Sequence, residues 1–434
     1  MKNPDGPRRL IVISADGLRP DILQRADELG LRIPNFRRLA AAGARAEAVT
    51  SVYPSTTYPA HATIVTGVPP RIHGIYSHLA SLDPTDRARP WTWFARALNV
   101  PSLWDVARAA GRRSAAVGWP VSVGAAIDYN IPEIWDPALP DPHQDLTTVA
   151  RYSTPHLFEE VVKALGPLVP LSPKQPLSTN PDRLRTEGAL FLWRRYAPDL
   201  LLLHLVAYDY EAHHFGPFAP EALRAVQQTD DEIGRVWAAA QKDERVNLVV
   251  LSDHGMVPVS REVAPLAVML EEGLFDTDAA GNLRLKNLGA IHAGGSFAIY
   301  WLEEPKADDR RRLEKAVARL EGSGLVSEVV DRAKLERLSA DPDAEMILEA
   351  APDHYFSDRF DGPDVRASEK DRGTHGNLPS RPGLEAMFVA VGEGIRAGKN
   401  LGRIQLAQIA PVLADLMGLP DDILAAEAGP LSLS

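Results

Sequence analysis

The fold class follows from the run LIVISADG at residues 10–17. Leu10–Ala15 is short, apolar and rich in β-branched side chains, which predicts a buried strand. Asp16 and Gly17 end this run with residues typical of a turn. The segment therefore predicts a buried strand that delivers a carboxylate at its carboxyl end.

Similar runs recur along the chain and alternate with helical segments. Further strand candidates are Ala48–Tyr53, Ser114–Val117, Leu200–Val206, Val246–Leu251 and Met387–Val391. The helical candidates are Pro34–Gly43, Pro59–Thr66, Pro220–Gln241 and Gln405–Met417. This alternation predicts an α/β fold, in which helices cover both faces of a mostly parallel sheet. Ligands of such sheets bind beyond the carboxyl ends of the strands.

Residues 261–370 have a different character. They are more charged, and they contain the alternating segment Ser296–Trp301 and a charged helical segment near Asp308–Leu320. We interpret this part as an inserted α+β cap region, and residues 1–260 and 371–434 as the catalytic core. Two Pro-rich segments, 137–142 and 167–176, are expected to form loops over the site.

Composition excludes several classes of protein. The chain has 434 residues, of which 45% are hydrophobic and 24% are charged, as is usual for a globular protein. The apolar runs are too short for a membrane span. The first residues, from Met1 to Pro7, contain no apolar signal core, so the chain as written is expected to be cytoplasmic. A trimmed precursor would instead be periplasmic or secreted.

Net charge and cysteine content exclude certain binding partners and certain kinds of catalytic or metal site. The net charge of -11 argues against binding to a nucleic-acid duplex. The absence of cysteine excludes thiol nucleophiles, iron–sulfur clusters and Cys-type zinc sites. Any bound metal must therefore be held by His, Asp and Glu.

Polar residues follow three of the predicted strands, and another precedes the last one. They comprise three carboxylates and three imidazoles, which are Asp16, Asp209, His213, Asp253, His254 and His375. Each of them alone also has an ordinary structural explanation, such as a turn, a solvated pair or a packing histidine. Together they match two metal sites with three protein ligands each, and carboxylate with imidazole suits zinc. Two such ions can promote phosphoryl transfer.

The segment 53–61 offers a nucleophile. Thr57 precedes a helix predicted to start near Pro59, where free backbone N–H groups favour an anion. The alternative is that Ser55, Thr56 or Thr57 only caps this helix. Beside a metal pair, one of these hydroxyls could attack phosphorus.

An ordered series of motifs resembles a known family. The motifs are Ile13–Arg19, Thr57–His61 with Val65–Gly67, His73–Ile75, Asp209 with His213 and Gly216-Pro217, Ser252–Met256, and Thr374–Gly376. Their order and separations are similar to those of the nucleotide pyrophosphatase/phosphodiesterase family (type I phosphodiesterases) of the alkaline phosphatase superfamily. The similarity extends from Leu10 to about Leu419.

The resemblance implies an alkaline-phosphatase-like fold and a role for each motif. Thr57 would be the nucleophile. One Zn²⁺ would be held by Asp209, His213 and His375, and a second by Asp16, Asp253 and His254, with Thr57 as a further contact of the second ion. Family members hydrolyse phosphodiester or pyrophosphate bonds through a covalent phosphothreonine, so the expected partner is a small phosphate diester or nucleotide.

Substrate recognition is where the sequence departs from the family pattern. Tyr58 stands where an aromatic ring usually stacks on a base, and Trp135 would face it as a second wall. His78 stands at or near the position of an Asn that usually contacts a phosphate oxygen. All three are therefore expected to bind substrate.

Two alternatives to a phosphodiesterase remain at this point. A related hydrolase of the superfamily, such as a phosphonoacetate hydrolase or a phosphomonoesterase, would have the same metal ligands. A dianionic monoester would need extra cations, and Arg19 is the obvious neighbouring candidate, which favours a diester. The second alternative is a metal-binding protein without enzymatic activity. The presence of all six ligands and Thr57 argues against it.

Overall fold

A computed structural model describes residues 8–86, 88–139, 146–166, 181–241, 245–420, 424 and 431–434. The strands are β1 (Arg9–Ala15), β2 (Ala44–Arg45), β3 (Ala48–Thr50), β4 (Ser114–Val117), β5 (Tyr129–Ile131), β6 (Leu200–Leu205), β7 (Val246–Leu251), β8 (Val257–Val263), β9 (Asp276–Thr277), β10 (Leu283–Arg284), β11 (Leu288–His292), β12 (Ser296–Trp301), β13 (Val326–Asp331), β14 (Met346–Ala350), β15 (Asp353–Phe356), β16 (Val365–Ala367), β17 (Gly373–Thr374), β18 (Phe388–Val391), β19 (Lys399–Asn400) and β20 (Arg403–Gln405).

The helices alternate with these strands in the first half of the chain. They are α1 (Pro20–Gln24), α2 (Pro34–Ala42), α3 (Thr57–Thr66), α4 (Pro70–His73), α5 (Leu103–Ala109), α6 (Leu146–Tyr152), α7 (Leu157–Leu165), α8 (Pro181–Tyr196), α9 (Ala207–Phe215), α10 (Pro220–Ala240), α11 (Pro265–Glu271), α12 (Ala307–Gly322), α13 (Arg332–Arg337) and α14 (Ile409–Leu416). Short 3₁₀ turns occupy Ala95–Ala97 and Leu406–Gln408.

The central sheet has eight strands in the order β19-β2-β18-β7-β1-β6-β4-β5. β1 lies in the middle, where Leu10 pairs with Leu200 of β6 and with Asn247 of β7 in parallel register. β18 runs antiparallel to both of its neighbours. The predicted α/β fold with a mostly parallel sheet is confirmed.

Alternate side chains of the central strands point into two hydrophobic cores. Ile11 and Ile13 pack in the core covered by α2, α8 and α10. Leu10 and Val12 pack in the opposite core, which α3, α5 and α14 cover. Because both faces are buried, the strands are mainly apolar and do not alternate with polar residues.

Residues 261–370 form sheets of their own. The antiparallel sheet β11-β12-β14-β13 packs against α11 and α12 in a separate hydrophobic core. β8 joins this region to the rest of the molecule because it pairs with β15, β16 and β17. Since β8 begins at Val257, the sheet structure does not change at residue 261. The division into core and cap remains an interpretation.

Some predicted bounds shift for local reasons. The strand expected over Ala48–Tyr53 ends at Thr50, and the helix expected from Pro59 begins at Thr57. The helix expected over Gln405–Met417 begins at Ile409, which places Pro411 in the first turn, where a missing N–H costs no hydrogen bond. The Pro-rich segment 167–176 and residues 140–142 of the other one lie outside the described residues.

Membrane spans are absent from the described part of the chain. None of the helices there combines the length and the apolar character needed to cross a bilayer.

Candidate active site

Three strands of the central sheet deliver polar residues to one edge. Asp16 follows β1, Asp253 and His254 follow β7, and α9 begins two residues after the end of β6. These three strands are parallel neighbours, so their carboxyl ends meet. α9 carries Asp209 and His213 on one face because they are four residues apart.

The first group at this edge, which we call the inner triad, consists of Asp16, Asp253 and His254. The Nε2 atom of His254 lies 3.2 Å from a carboxylate oxygen of Asp253 and 3.4 Å from one of Asp16. One possible ligand atom of each residue lies within 4.8 Å of the others. All three side chains are buried, although Asp16 borders the adjoining cleft.

The second group, the outer triad, consists of Asp209, His213 and His375. The carboxylate of Asp209 lies 3.6 Å from Nε2 of His213 and 3.8 Å from Nε2 of His375. These residues are only partly buried and line a cleft of about 780 Å³. The two triads adjoin, since the rings of His254 and His375 stack with centroids 4.0 Å apart.

The carboxylates of the two triads repel one another. Burial, together with the charges of Asp16 and Asp253, raises the pKa of Asp209 well above its ordinary value. Burial and the charge of Asp16 also raise the pKa of Asp253 to about 6. One oxygen of each of these three carboxylates is buried without a hydrogen-bond partner among the described residues. Such an arrangement is costly unless a cation neutralises it.

The imidazoles are arranged as neutral ligands. Burial lowers the pKa of His213, His254 and His375, which keeps each ring in the form that offers a lone pair. Nδ1 of His254 lies 2.9 Å from the carbonyl of Gly255, and Nδ1 of His213 lies 3.0 Å from that of Gly373. An Nδ1–H that donates to a carbonyl leaves Nε2 as the acceptor. The Nε2 atoms of the imidazoles and the carboxylate oxygens without hydrogen-bond partners are therefore suited to bind divalent metal ions in both triads.

Thr57 lies beside the inner triad as the first residue of α3. Its hydroxyl oxygen is 3.3 Å from Nε2 of His254. The residue that precedes the helix, Thr56, makes no side-chain capping hydrogen bond, and Ser55 donates instead to the carbonyl of Val52. The first turn of α3 therefore retains N–H groups that can bind an anion next to the Thr57 hydroxyl.

Two further histidines, His204 and His61, contact the inner triad. His204 lies on β6, with Nε2 3.0 Å from Asp16. Burial alone would lower the pKa of His204, but hydrogen bonds to Asp16 and Glu133 raise it to about 10. His61 lies on α3, with Nδ1 2.8 Å from the carbonyl of Thr57 and 3.5 Å from Asp253. The strand and helix positions alone could not reveal these contacts.

The aromatic wall of the cleft differs from the expected one. Tyr58 is fully buried, and its hydroxyl donates to Glu133 over 3.0 Å. Trp91 stands between Tyr58 and Trp135, with ring centroids 5.3 and 4.7 Å from theirs. Trp91 and Trp135 line the cleft, whereas Tyr58 lies behind them.

His78 lies on another wall of the cleft. Burial lowers its pKa to about 3, and its ring packs against Trp91 at 4.9 Å. His292, whose ring centroid is 6.2 Å away, has its Nε2 atom 3.5 Å from the carboxylate of Asp358, and Arg89 forms an ion pair with the same carboxylate. The inserted region thus supplies part of the cleft surface.

Several residues of the cleft carry no sequence signal. Glu133 and Arg185 form an ion pair of 3.2 Å, and Arg185 also donates to the carbonyl of His204. Arg366 and Lys370 line the cleft from the inserted region. Arg19, the expected cation, instead binds Asp21 and the carbonyl of Met256. His214, the neighbour of His213, bonds its own helix at Tyr210.

Comparison with known proteins adds independent information. The model of the family "Type I phosphodiesterase / nucleotide pyrophosphatase" matches residues 10–377. An uncharacterised pyrophosphatase/phosphodiesterase of Schizosaccharomyces pombe is 26% identical over 431 residues, which cover 95% of this chain and 77% of that protein.

Animal relatives match a shorter part of the chain. Venom phosphodiesterase 2 of Crotalus adamanteus is 27% identical over 58% of this chain. Ectonucleotide pyrophosphatase/phosphodiesterase family member 3 of Mus musculus is 26% identical over 57% of it. The matched regions are only 27% and 25% of the lengths of those two proteins.

A solved structure shares the fold at low identity. Murine ectonucleotide pyrophosphatase/phosphodiesterase 5, an inactive threonine-to-alanine variant in complex with AMP, superimposes with a TM-score of 0.66. The sequences are 19% identical, and the similarity covers 95% of this chain and 96% of the other. With the family model matched over most of its length, the chain belongs to the type I phosphodiesterase/nucleotide pyrophosphatase family.

Proposed function

We propose that this chain is a zinc-dependent hydrolase that cleaves phosphodiester or nucleotide pyrophosphate bonds, with Thr57 as its nucleophile. The observation that carries the proposal is the convergence of the two triads beside a hydroxyl at the start of α3. No other set of three clustered His, Asp or Glu ligands occurs in the described ranges.

We assign one Zn²⁺ to each triad, which makes two per chain. Three protein ligands per ion suit catalytic zinc, which keeps a position for water or substrate. When bound, the ions would supply positive charge for the phosphate oxygens and would lower the pKa of a hydroxyl or water. The partly exposed outer triad is the better placed to meet the substrate from the cleft.

Groups of the protein would position the attacking oxygen and the phosphate. The Thr57 oxygen would form a bond to phosphorus while the bond from phosphorus to the leaving oxygen breaks. N–H groups in the first turn of α3 would hold nonbridging oxygens. Water would then cleave the phosphothreonine and restore the hydroxyl. The murine relative bound to AMP is an inactive threonine-to-alanine variant, which supports a threonine in this role.

We expect a nucleotide or another small aromatic phosphate ester as substrate. Trp91 and Trp135 line the cleft and can pack against a planar group. His78 offers a hydrogen bond from the neighbouring wall. Because Tyr58 is buried behind Trp91, it would support that ring and not contact the substrate.

The family relationship also bears on where the protein acts. The relatives named above include a venom enzyme and an ectonucleotide pyrophosphatase. These names are consistent with action outside the cell. They give no support to the cytoplasmic location expected from the first residues.

A panel of substrates tests the proposal. The zinc-loaded protein should hydrolyse bis-p-nitrophenyl phosphate with a kcat/KM at least ten times those for p-nitrophenyl phosphate and phosphonoacetate. A phosphomonoester would be dianionic and would gain most from extra cations. Arg19 is engaged elsewhere, whereas Arg366 and Lys370 line the cleft, so the ratio of the kcat/KM values decides between the two classes. A higher kcat/KM for either of the other two compounds would assign the alternative hydrolase, and no turnover of any would support a silent metal-binding protein.

A further inference from the structure

Two loops, one carrying Thr57 and the other carrying His375, pack against the inserted region, residues 261–370. Tyr53, four residues before Thr57, and Leu378, three residues after His375, belong to one hydrophobic cluster. The rest of that cluster comes mainly from the inserted sheet, for example Ile291 and Ile347. We call residues 53–57 the nucleophile loop and residues 375–378 the His375 loop.

Glu349 of β14 lies at the centre of this junction. It is 3% exposed. One carboxylate oxygen accepts a hydrogen bond from the Tyr53 hydroxyl at 2.8 Å, and the other accepts one from the Leu378 N–H at 3.0 Å. A single buried side chain of the inserted region thus binds both loops.

The two loops also bind each other directly. The N–H of Gly376 donates to the carbonyl of Ser55 at 2.8 Å, and the N–H of Ser55 donates to the carbonyl of Asn377 at 3.4 Å. A substitution at Glu349 would therefore displace Thr57 and His375 together. Glu349 itself does not line the cleft, so it cannot contact substrate.

We propose that Glu349 is a positioning residue that holds the nucleophile loop and the His375 loop in register, so that the inserted region sets the geometry of the site. This role rests on the proposed functions of Thr57 and His375. Small displacements of a positioned nucleophile are costly, because rate depends on close approach and alignment of the reacting atoms.

The test replaces Glu349 by Leu and by Gln. Glu349→Leu removes both acceptors at similar size, and we expect kcat for bis-p-nitrophenyl phosphate to fall 10- to 100-fold with KM changed less than threefold. Glu349→Gln keeps an acceptor for the Leu378 N–H and an amide for the rotatable Tyr53 hydroxyl. It should remain within threefold of the wild type.

Asp341 provides a matched control for Glu349, because it is a buried carboxylate beside the same hydrophobic cluster. This buried carboxylate accepts a hydrogen bond from the Tyr300 hydroxyl at 2.9 Å and one from the N–H of Asp343 at 2.8 Å. Its partners lie within the inserted region. Asp341→Leu should lower thermal stability while kcat, measured well below the unfolding temperature, stays within threefold of the wild type.

Three outcomes would overturn the proposal. They are an unchanged kcat in Glu349→Leu, an equal loss in Asp341→Leu, or a loss in Glu349→Gln as large as that in Glu349→Leu. If Glu349→Leu does not fold, Tyr53→Phe removes one of the two hydrogen bonds and should lower kcat 3- to 10-fold. An unchanged kcat in Tyr53→Phe would then overturn it.

Zinc affinity separates this proposal from the proposed activity. By titration against a chromophoric chelator, Glu349→Leu should bind one Zn²⁺ at least tenfold more weakly than the wild type and the other unchanged. If the wild type hydrolyses none of the substrates, the proposed function fails, and this measurement still decides the role of Glu349. Equal zinc affinities in Glu349→Leu and wild type would reject it.

Discussion

The inner and outer triads have the same number of ligands but different surroundings. The inner triad follows β1 and β7 in the middle of the sheet and is fully buried. The outer triad comes from α9 and from a loop tied to the inserted region, and it opens onto the cleft. The difference teaches that the central strands supply the buried group, whereas a helix and a loop supply the group that opens onto the cleft.

Thr57→Ala should have the largest effect, because it removes the nucleophile and leaves both triads intact. We expect kcat/KM for bis-p-nitrophenyl phosphate to fall at least about 1,000-fold. Zinc content, measured by elemental analysis, should stay at that of the wild type. Thr57→Ser retains a hydroxyl and serves as the control, with a much smaller loss. Full activity in Thr57→Ala would reject the assignment of the nucleophile.

Removing one imidazole from each triad compares their surroundings directly. His254→Ala removes a ligand of the buried inner triad and should weaken the binding of the ion that neutralises Asp16 and Asp253, so at a fixed zinc concentration the protein should lose about 4 kcal/mol of unfolding free energy. His213→Ala should lose less than about 2 kcal/mol, because the outer triad is partly solvated. Both variants should lose activity. Denaturant titration measures the difference, and equal losses of stability would remove the distinction between the triads.

Chelation should remove zinc from the two triads at different rates. The outer triad is accessible from the cleft, so its ion should leave first and hydrolysis should stop while one ion remains. Removal should destabilise the protein by about 3 kcal/mol for each ion lost when free zinc had been at about 100 times the dissociation constant of that site. Timed chelation with zinc analysis and thermal unfolding would record this, and simultaneous loss of both ions would contradict it.

The smallest effect concerns Glu349, which lies outside both triads. Burial raises its pKa from 4.5 to about 7, although hydrogen bonds from Leu378 and Tyr53 and the charge of Arg381 oppose the shift. A raised pKa in the folded state adds stability below about pH 4.5, and this stability is lost as pH rises through about 7. Between about pH 5 and 7.5 the loss is on the order of 2 kcal/mol.

Glu349→Gln cannot titrate, so its unfolding free energy should lack this decrease. Zinc-loaded wild type and variant should be unfolded with denaturant at each pH, because the difference between them cancels the titration of the triads. A variant with the same pH dependence as the wild type would show that Glu349 does not titrate in this range.

The sequence predicted the parts of the molecule that have a local pattern. β1 and β7 are mainly apolar runs, and their carboxyl ends identify Asp16 and Asp253 as neighbours. The spacing of Asp209 and His213 brings them together because α9 is helical there, as the structure confirms. The roles of these residues as zinc ligands remain predictions.

The parts without a local pattern needed the tertiary structure. Trp91 lies in no motif, yet it covers Tyr58 and takes its place on the cleft wall. Glu349 lies on a strand far from either catalytic loop in sequence, and only the packing of the inserted sheet brings it to Tyr53 and Leu378. Contacts between elements that are distant in sequence produce no recognisable residue spacing, so a single sequence does not reveal them.

The central claim is that each triad holds a zinc ion and that Thr57 attacks phosphorus between them. Anomalous diffraction from a zinc-loaded crystal soaked with orthovanadate tests it most directly. We expect two zinc peaks, one in each triad, with vanadium bonded to the Thr57 oxygen. A single zinc peak, or vanadate bound away from Thr57, would contradict it.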